Sequence, residues 1–312
     1  MPVDRLLGRD DIPLLPAPWP GYVVRTGTRE LFVRRVPVAE QVGEPALMVH
    51  GLGGSATNWT DLMAVLREEL DCWAMDLPGF GSSPPPPGPD YSPAGHARAV
   101  IDLIEASGRG PVHLFGNSLG GVVVTLVAGW RPDLVRSLVL ISPALPHLRV
   151  RRSNAHLPVL AVPRVGESLT RRLVRVPLET RVQFTVDSCF AEPSRVPQQR
   201  LDEAVSEAEA RDRLPWAQEA LLGSLRGLLA TYFYRVGTDA PWRAAARVTA
   251  PTLLVYGLAD RLVDPRSAYR AAGTFPDSLL VVVPHCGHVA QMERPDLVGG
   301  AVRRLLAVQR PR

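Results

Sequence analysis

Short apolar runs bounded by turn residues alternate along this chain with longer stretches of helical period. GYVVRTGTRELFVRRV (21–36) reads as two strands about a Gly27-Thr28 turn. ALMVH (46–50) and CWAMD (72–76) are short apolar strands. Between them, Leu62, Val65, Leu66 and Leu70 share one face of a helix predicted over 58–70. Ser92-Pro93 gives an N-cap residue followed by proline at the first helical position. Val100, Ile101, Leu103 and Ile104 form that helix's apolar face, which ends at Gly108. PVHLFG (111–116) is a strand, 118–130 a helix and SLVLIS (137–142) a strand. Later come the strand PTLLVYG (251–257), a helix over 265–273, the strand SLLVVVP (278–284) and a helix over 293–309. Apolar strands alternating with helices predict an α/β fold, a mostly parallel central sheet covered by helices on both faces.

The alternation stops between 144 and 240. That stretch is charged, broken by prolines and mostly helical in period, with LDEAVSEAEARDRL the clearest case. It reads as a helical cap inserted into a core made of 21–143 and 241–312, preceded by a Pro-rich arm over 1–20. With 312 residues, one large domain carrying an insertion is long enough to bury a sizeable core.

Composition narrows the chemistry. All 35 basic residues are Arg, with no Lys among them. That excludes a phosphate loop ending in Lys, a Schiff-base lysine and a Ser-x-x-Lys pair, because Arg stays protonated. A net charge of +4, with no basic stripe interleaved with aromatics, gives no sign of nucleic-acid binding. The charge is uneven, however. Arg149, Arg151, Arg152, Arg164, Arg171, Arg172, Arg175 and Arg181 face only Glu167 and Glu179 across 149–181, a local +6. Three readings stay open for that stretch: a solvated cap surface, a surface for anionic lipid or acidic substrate, or a protein dock. Three cysteines form no disulfide framework. There is no signal-peptide pattern and no apolar run near 18 residues, so the expectation is a cytoplasmic protein without a membrane span.

The strongest chemical signal is Gly116-Asn117-Ser118-Leu119-Gly120-Gly121, a G-x-S-x-G between a predicted strand and a predicted helix. Ser118 there sits on a turn so tight that Gly116 and Gly120 must lack a Cβ, and the helix that follows aims its N-terminal amides at developing negative charge. A nucleophilic serine needs a base, and the base an orienting acid. His288 and Asp260 both lie just past predicted strands, where open α/β sheets place their sites. His285 and Asp264 are their respective rivals. Gly51-Leu52-Gly53-Gly54-Ser55-Ala56, with Asp71 and Asp76 about 20 residues on, matches a dinucleotide fingerprint. That reading leaves Ser118, Asp260 and His288 without a purpose. His285, Cys286 and His288 have no second cluster at ligand spacing, so no metal is expected.

HGLGG (50–54), DLPGFGSS (76–83), GNSLGG (116–121), GLADRLV (257–263) and CGHVAQMERP (286–295) together resemble the α/β-hydrolase fold superfamily, in its cap-bearing branch of esterases, lipases and C–C bond hydrolases. The resemblance implies a Ser118-His288-Asp260 triad without cofactor. It also implies an oxyanion hole made by the backbone N–H groups of Leu52 and Leu119. Trp59, Phe80 and Leu119 are candidates for the acyl pocket, with ordinary packing as the competing reading. Gln199-Arg200 is similar to a cap segment of C–C bond hydrolases, making Arg200 a candidate substrate contact. That group carries Trp after the catalytic histidine where this chain has Val289. Members of the fold that open epoxides or remove halide use a carboxylate where this chain has Ser118. A small-molecule ester or acyl substrate is therefore the first expectation. C–C bond hydrolysis is second, and a non-catalytic or perhydrolase-like use of the scaffold third.

Overall fold

The computed structural model describes residues 15–37, 43–147, 152–233 and 237–309. Residues 1–14 of the expected N-terminal arm, and Arg149 and Arg151 of the basic stretch, lie outside the described residues. Strands Gly21–Thr26 (β1) and Arg29–Arg35 (β2) pair antiparallel about Gly27, whose φ of +49° makes the turn. Glu44–Val49 (β3) leads through a 3-10 turn at Ala56–Trp59 into helix Thr60–Leu66 (α1). The helix predicted over 58–70 ends early because Leu70 already belongs to strand Leu70–Met75 (β4), where it pairs with Glu44. Helix Pro93–Ser107 (α2) begins where the Ser92 hydroxyl accepts the Gly95 N–H, and stops at Gly108 with φ +62°. Strand Val112–Asn117 (β5), helix Leu119–Trp130 (α3) and strand Val135–Ile141 (β6) follow.

The chain then leaves the sheet for five helices: His156–Ala161 (α4), Val165–Leu173 (α5), Leu178–Cys189 (α6), Gln198–Asp212 (α7) and Ala217–Ala230 (α8). It returns through Pro241–Ala245 (α9), Thr252–Gly257 (β7), Ser267–Thr274 (α10) and Ser278–Val283 (β8). The single helix predicted over 293–309 is divided into Ala290–Glu293 (α11) and Pro295–Gln309 (α12). Pro295 disfavours helical geometry at the residue before it, and Arg294 accordingly has φ −142° and ψ 55°.

Eight strands form one sheet in the order β1-β2-β4-β3-β5-β6-β7-β8. β1–β2 and β2–β4 are antiparallel and all later pairs parallel. Side chains alternate across a strand, and here the alternation divides the core in two. Leu138, Leu140, Leu254 and Tyr256 pack with α2, α3 and α10 on one face. Val139, Ile141, Leu253 and Val255 pack with α1 and α12 on the other. Each fully buried aliphatic side chain contributes about 1.5–3 kcal/mol, so these two layers hold the strand ends in place. A smaller cluster around Val182, Val186 and Ala208 joins α6 to α7. Helix α8 lies against the start of α2 through Gly223 and Gly227, where an added Cβ would meet Tyr91 and Ser92. Among the described residues no helix is long and apolar enough to cross a membrane.

Candidate active site

Ser118 joins β5 to α3 with φ 54° and ψ −117°, a conformation that costs on the order of 1–3 kcal/mol outside glycine. Its neighbours make the turn possible. A Cβ on Gly116 would lie 2.5 Å from the Gly120 carbonyl oxygen, and one on Gly120 would lie 2.3 Å from that of Val49. The Ser118 N–H donates to the Ile141 carbonyl (3.1 Å), and its own carbonyl accepts from Ala144 (3.0 Å). As the first residue of α3, Leu119 has an N–H with no partner inside the helix.

The second wall is the loop after β3. A Cβ on Gly51 would lie 3.0 Å from the Ser118 Cβ, so this loop crosses directly beside the serine. His50 anchors it. The Leu77 N–H donates to His50 Nε2 (3.0 Å), which leaves Nδ1 to carry the proton and donate to the Gly51 carbonyl (2.7 Å). Complete burial holds the His50 imidazole neutral, with its pKa pushed down to about 4. Asp76 secures the far side by accepting the N–H groups of Ala56 and Ser82, both at 2.7 Å. Asp71 is paired with Arg35 and Arg109. Both acids of the dinucleotide reading are thus engaged within the fold, and Leu52 and Gly53 face the same cavity as Ser118.

Asp260 follows β7 and is almost completely buried. Its Oδ1 accepts the N–H groups of Leu262 (2.8 Å) and Val263 (3.0 Å), and its Oδ2 faces His288 Nδ1 at 2.9 Å. Burial alone would raise its pKa. The charge and hydrogen bond of His288, with the two backbone donors, outweigh that and hold it below the usual carboxylate value. The rivals are held differently, although His285 also borders the cavity that Ser118 faces. Asp264 accepts the backbone N–H and side-chain Nε of Arg266 at the entrance to α10. His285 is an exposed turn residue with φ 50°.

Further residues invisible to motif reading brace this arrangement. Asn117 Nδ2 donates to the carbonyls of Ile141 (3.0 Å) and His288 (3.1 Å), tying the serine turn to the histidine loop. Glu293 accepts the N–H of Gly287 (2.7 Å) on one oxygen and of Ala191 (2.9 Å) on the other. The His288 N–H donates to the Cys189 carbonyl at 2.7 Å. Asn117 and Glu293 stand inside the segments quoted above, so position beside Ser118 and His288 was the available signal.

Ser118 and His288 open into one cavity of about 1470 Å³, closed on its other side by α5–α8 and mostly apolar. Phe80 lines it, edge-on to His50. Trp59 does not: it is fully buried below the sheet, edge-on to Phe115. Arg200 reaches the cavity wall, but its guanidinium is held by Asp61, Glu203 and the Pro16 carbonyl. The Leu119 side chain is buried in the upper core layer. Among the described residues, no group of three or more His, Cys, Asp or Glu could hold a metal ion.

A family model for the alpha/beta hydrolase fold matches residues 45–295. Haloalkane dehalogenase 2 of Mycobacterium tuberculosis is 29% identical over 266 residues, 85% of this chain and 88% of that protein. The 2-hydroxy-6-oxo-6-(2'-aminophenyl)hexa-2,4-dienoic acid hydrolase of Metapseudomonas resinovorans is 29% identical over 269 residues, 85% of this chain and 84% of that protein. A thermophilic esterase from Thermogutta terrifontis superposes with a TM-score of 0.71 at 23% identity, covering 93% of this chain and 98% of its own.

Proposed function

The chain belongs to the α/β-hydrolase fold family, and on that premise we propose that it hydrolyses carboxylic esters through Ser118, His288 and Asp260. The observation that carries this reading is the buried His288–Asp260 hydrogen bond, opening into the cavity that the strained Ser118 turn also faces. Ionised Asp260 keeps the proton of His288 on Nδ1 and leaves Nε2 as the base. Nε2 takes the Ser118 proton as Oγ attacks the carbonyl carbon. The resulting oxyanion rests on the N–H groups of Leu52 and Leu119, each donor contributing about 3–4 kcal/mol to transition-state stabilisation. His288 then protonates the leaving alcohol, and water activated by the same imidazole clears the acyl-enzyme. The segment 144–240 serves as the cap, and its apolar wall suits the acyl part of the substrate.

Elementary chemistry favours acyl transfer over halide displacement. Attack by a serine on an alkyl halide would leave an ether, which has no carbonyl for water to attack. C–C bond hydrolysis is the second reading, supported by 29% identity to the dienoic acid hydrolase. A panel of p-nitrophenyl esters of increasing acyl length, run beside a vinylogous 1,5-diketone, separates the two. Esters should turn over faster; faster diketone cleavage overturns the ester assignment. A fluorophosphonate probe should label the wild-type protein and leave Ser118→Ala unlabelled.

A further inference from the structure

The helices that cover the cavity carry an outer face that the catalytic reading does not use. Helices α4 and α5 meet at a sharp corner, where Arg164 has φ 68° and a Cβ on Gly166 would lie 2.0 Å from the Leu160 carbonyl oxygen. This corner pushes Val159, Val162 and Val165 outward, between 42% and 49% exposed. Leu173 and Val174 continue the apolar face at the far end of α5. Phe184 of α6, 60% exposed, stands edge-on to His156 of α4. Exposed apolar side chains thus stand on three helices, with α5 and α6 each in contact with α4.

The same surface is positively charged. Arg164, Arg171, Arg172 and Arg175 are exposed, and among the described residues none makes an ion pair. The nearby acids do not balance them: Glu179, exposed at the start of α6, offsets one of the four charges at most. Glu167 pairs with Arg226 of α8, and Asp212 with Arg181. Leu173, Val174 and Phe184 are at once exposed and part of the cavity lining, as is Arg171, so one end of the patch borders the cavity.

We propose that this face docks on an anionic lipid bilayer, with the aliphatic side chains entering the interface and the four free guanidinium groups meeting lipid phosphates. Exposed aliphatic and aromatic residues interleaved with Arg are the composition of interfacial helices. A protein partner seated here would cover that end of the cavity. A bilayer would supply acyl chains directly to it. The identity of the substrate rests on the ester reading above; the docking itself does not.

Sedimentation of the Ser118→Ala protein with vesicles tests this without turnover. Binding should be strong to vesicles of phosphatidylcholine with one quarter phosphatidylglycerol. It should be at least about tenfold weaker to phosphatidylcholine alone or at 0.5 M salt. Arg172→Gln/Arg175→Gln and Val162→Ser/Val165→Ser, each added to Ser118→Ala, should both weaken it about tenfold. With Ser118 intact, the same pairs should leave hydrolysis of a soluble short-chain ester unchanged, which shows that the variants fold. Equal binding to neutral and anionic vesicles, no binding, or full binding by either variant overturns the proposal. Vesicle binding by a protein inactive on every ester would leave the surface standing and remove the ester reading.

Discussion

Ser118 depends on atoms that two neighbouring glycines leave free. At Gly120 an added methyl would meet the carbonyl oxygens of Val49 and His50 at 2.3 and 2.5 Å, both fixed backbone. Gly120→Ala should therefore cost about 1–3 kcal/mol and slow fluorophosphonate labelling at least tenfold; thermal melting and labelling rates check both. The acid is the sharper test. Asp260→Asn removes the charge that holds the His288 tautomer and should lower kcat by roughly four orders of magnitude. Asp264→Asn keeps an acceptor for Arg266 and should stay within a few-fold of wild type. The reverse ranking would transfer the acid role to Asp264. At this scale the sequence was most informative where chemistry forces residue type, as in Gly-x-Ser-x-Gly. It placed Asn117 beside the serine but not its contact, because the His288 carbonyl it holds lies 171 positions away. Nor did it reveal that Trp59 lies below the sheet, since an apolar residue after a glycine loop suits a pocket and a core equally.

Helix α7 shows what lies between a legible element and its function. LDEAVSEAEARDRL announces a helix by period, but not which face is engaged. Arg200, Glu207 and Arg211, at spacings of seven and four, lie on one side of it. Arg200 pairs with Asp61 of α1. Glu207 accepts the Ser55 hydroxyl (3.0 Å), and Arg211 Nη1 donates to the Gly53 carbonyl (3.0 Å). Two of these contacts grip the loop that contains Leu52 while Arg200 holds the helix that follows it, and the proposed oxyanion donor should depend on the two loop contacts. Glu207→Ala should lower kcat about tenfold with little change in KM. Glu207→Gln, which still accepts from Ser55, should recover most of the loss. Equal kinetics for wild type and Glu207→Ala would make the contact a packing detail. Element boundaries were less legible than elements. β4 claims Leu70 from the predicted helix through pairing with Glu44, and Pro295 splits the last helix, both outcomes of context that periodicity does not contain.

Across the whole molecule, buried histidines couple folding to pH. His96, fully buried among Phe80 and Tyr91, bonds Ser224 Oγ through Nε2 (2.9 Å) and thereby joins α2 to α8. Burial, chiefly, pushes its pKa down to about 3, as it pushes His50 to about 4. Unfolded histidine takes its proton near 6.5. Between 6.5 and those lower values the unfolded chain binds more protons than the folded one, so stability falls as the pH falls. Asp76, Glu207 and Glu293 act in the opposite direction: burial raises each of them, so they favour the folded state as they protonate. Wild-type acid sensitivity is the difference between these sets, and removing one histidine isolates its share. His96→Gln keeps a donor for Ser224 but cannot titrate. Its stability at pH 7 should be lower than wild type, yet the further loss between pH 7 and 4.5 should shrink by about 2–3 kcal/mol. Urea unfolding at both pH values reads that difference, and an undiminished loss would place the acid sensitivity in other groups. Because His96 lies on the contact between α8 and the sheet-bound α2, the same protonation should loosen the helices that close the cavity before it disturbs the Ser118 turn. Faster amide exchange in α8 than in α3 at pH 5 is the expected signature.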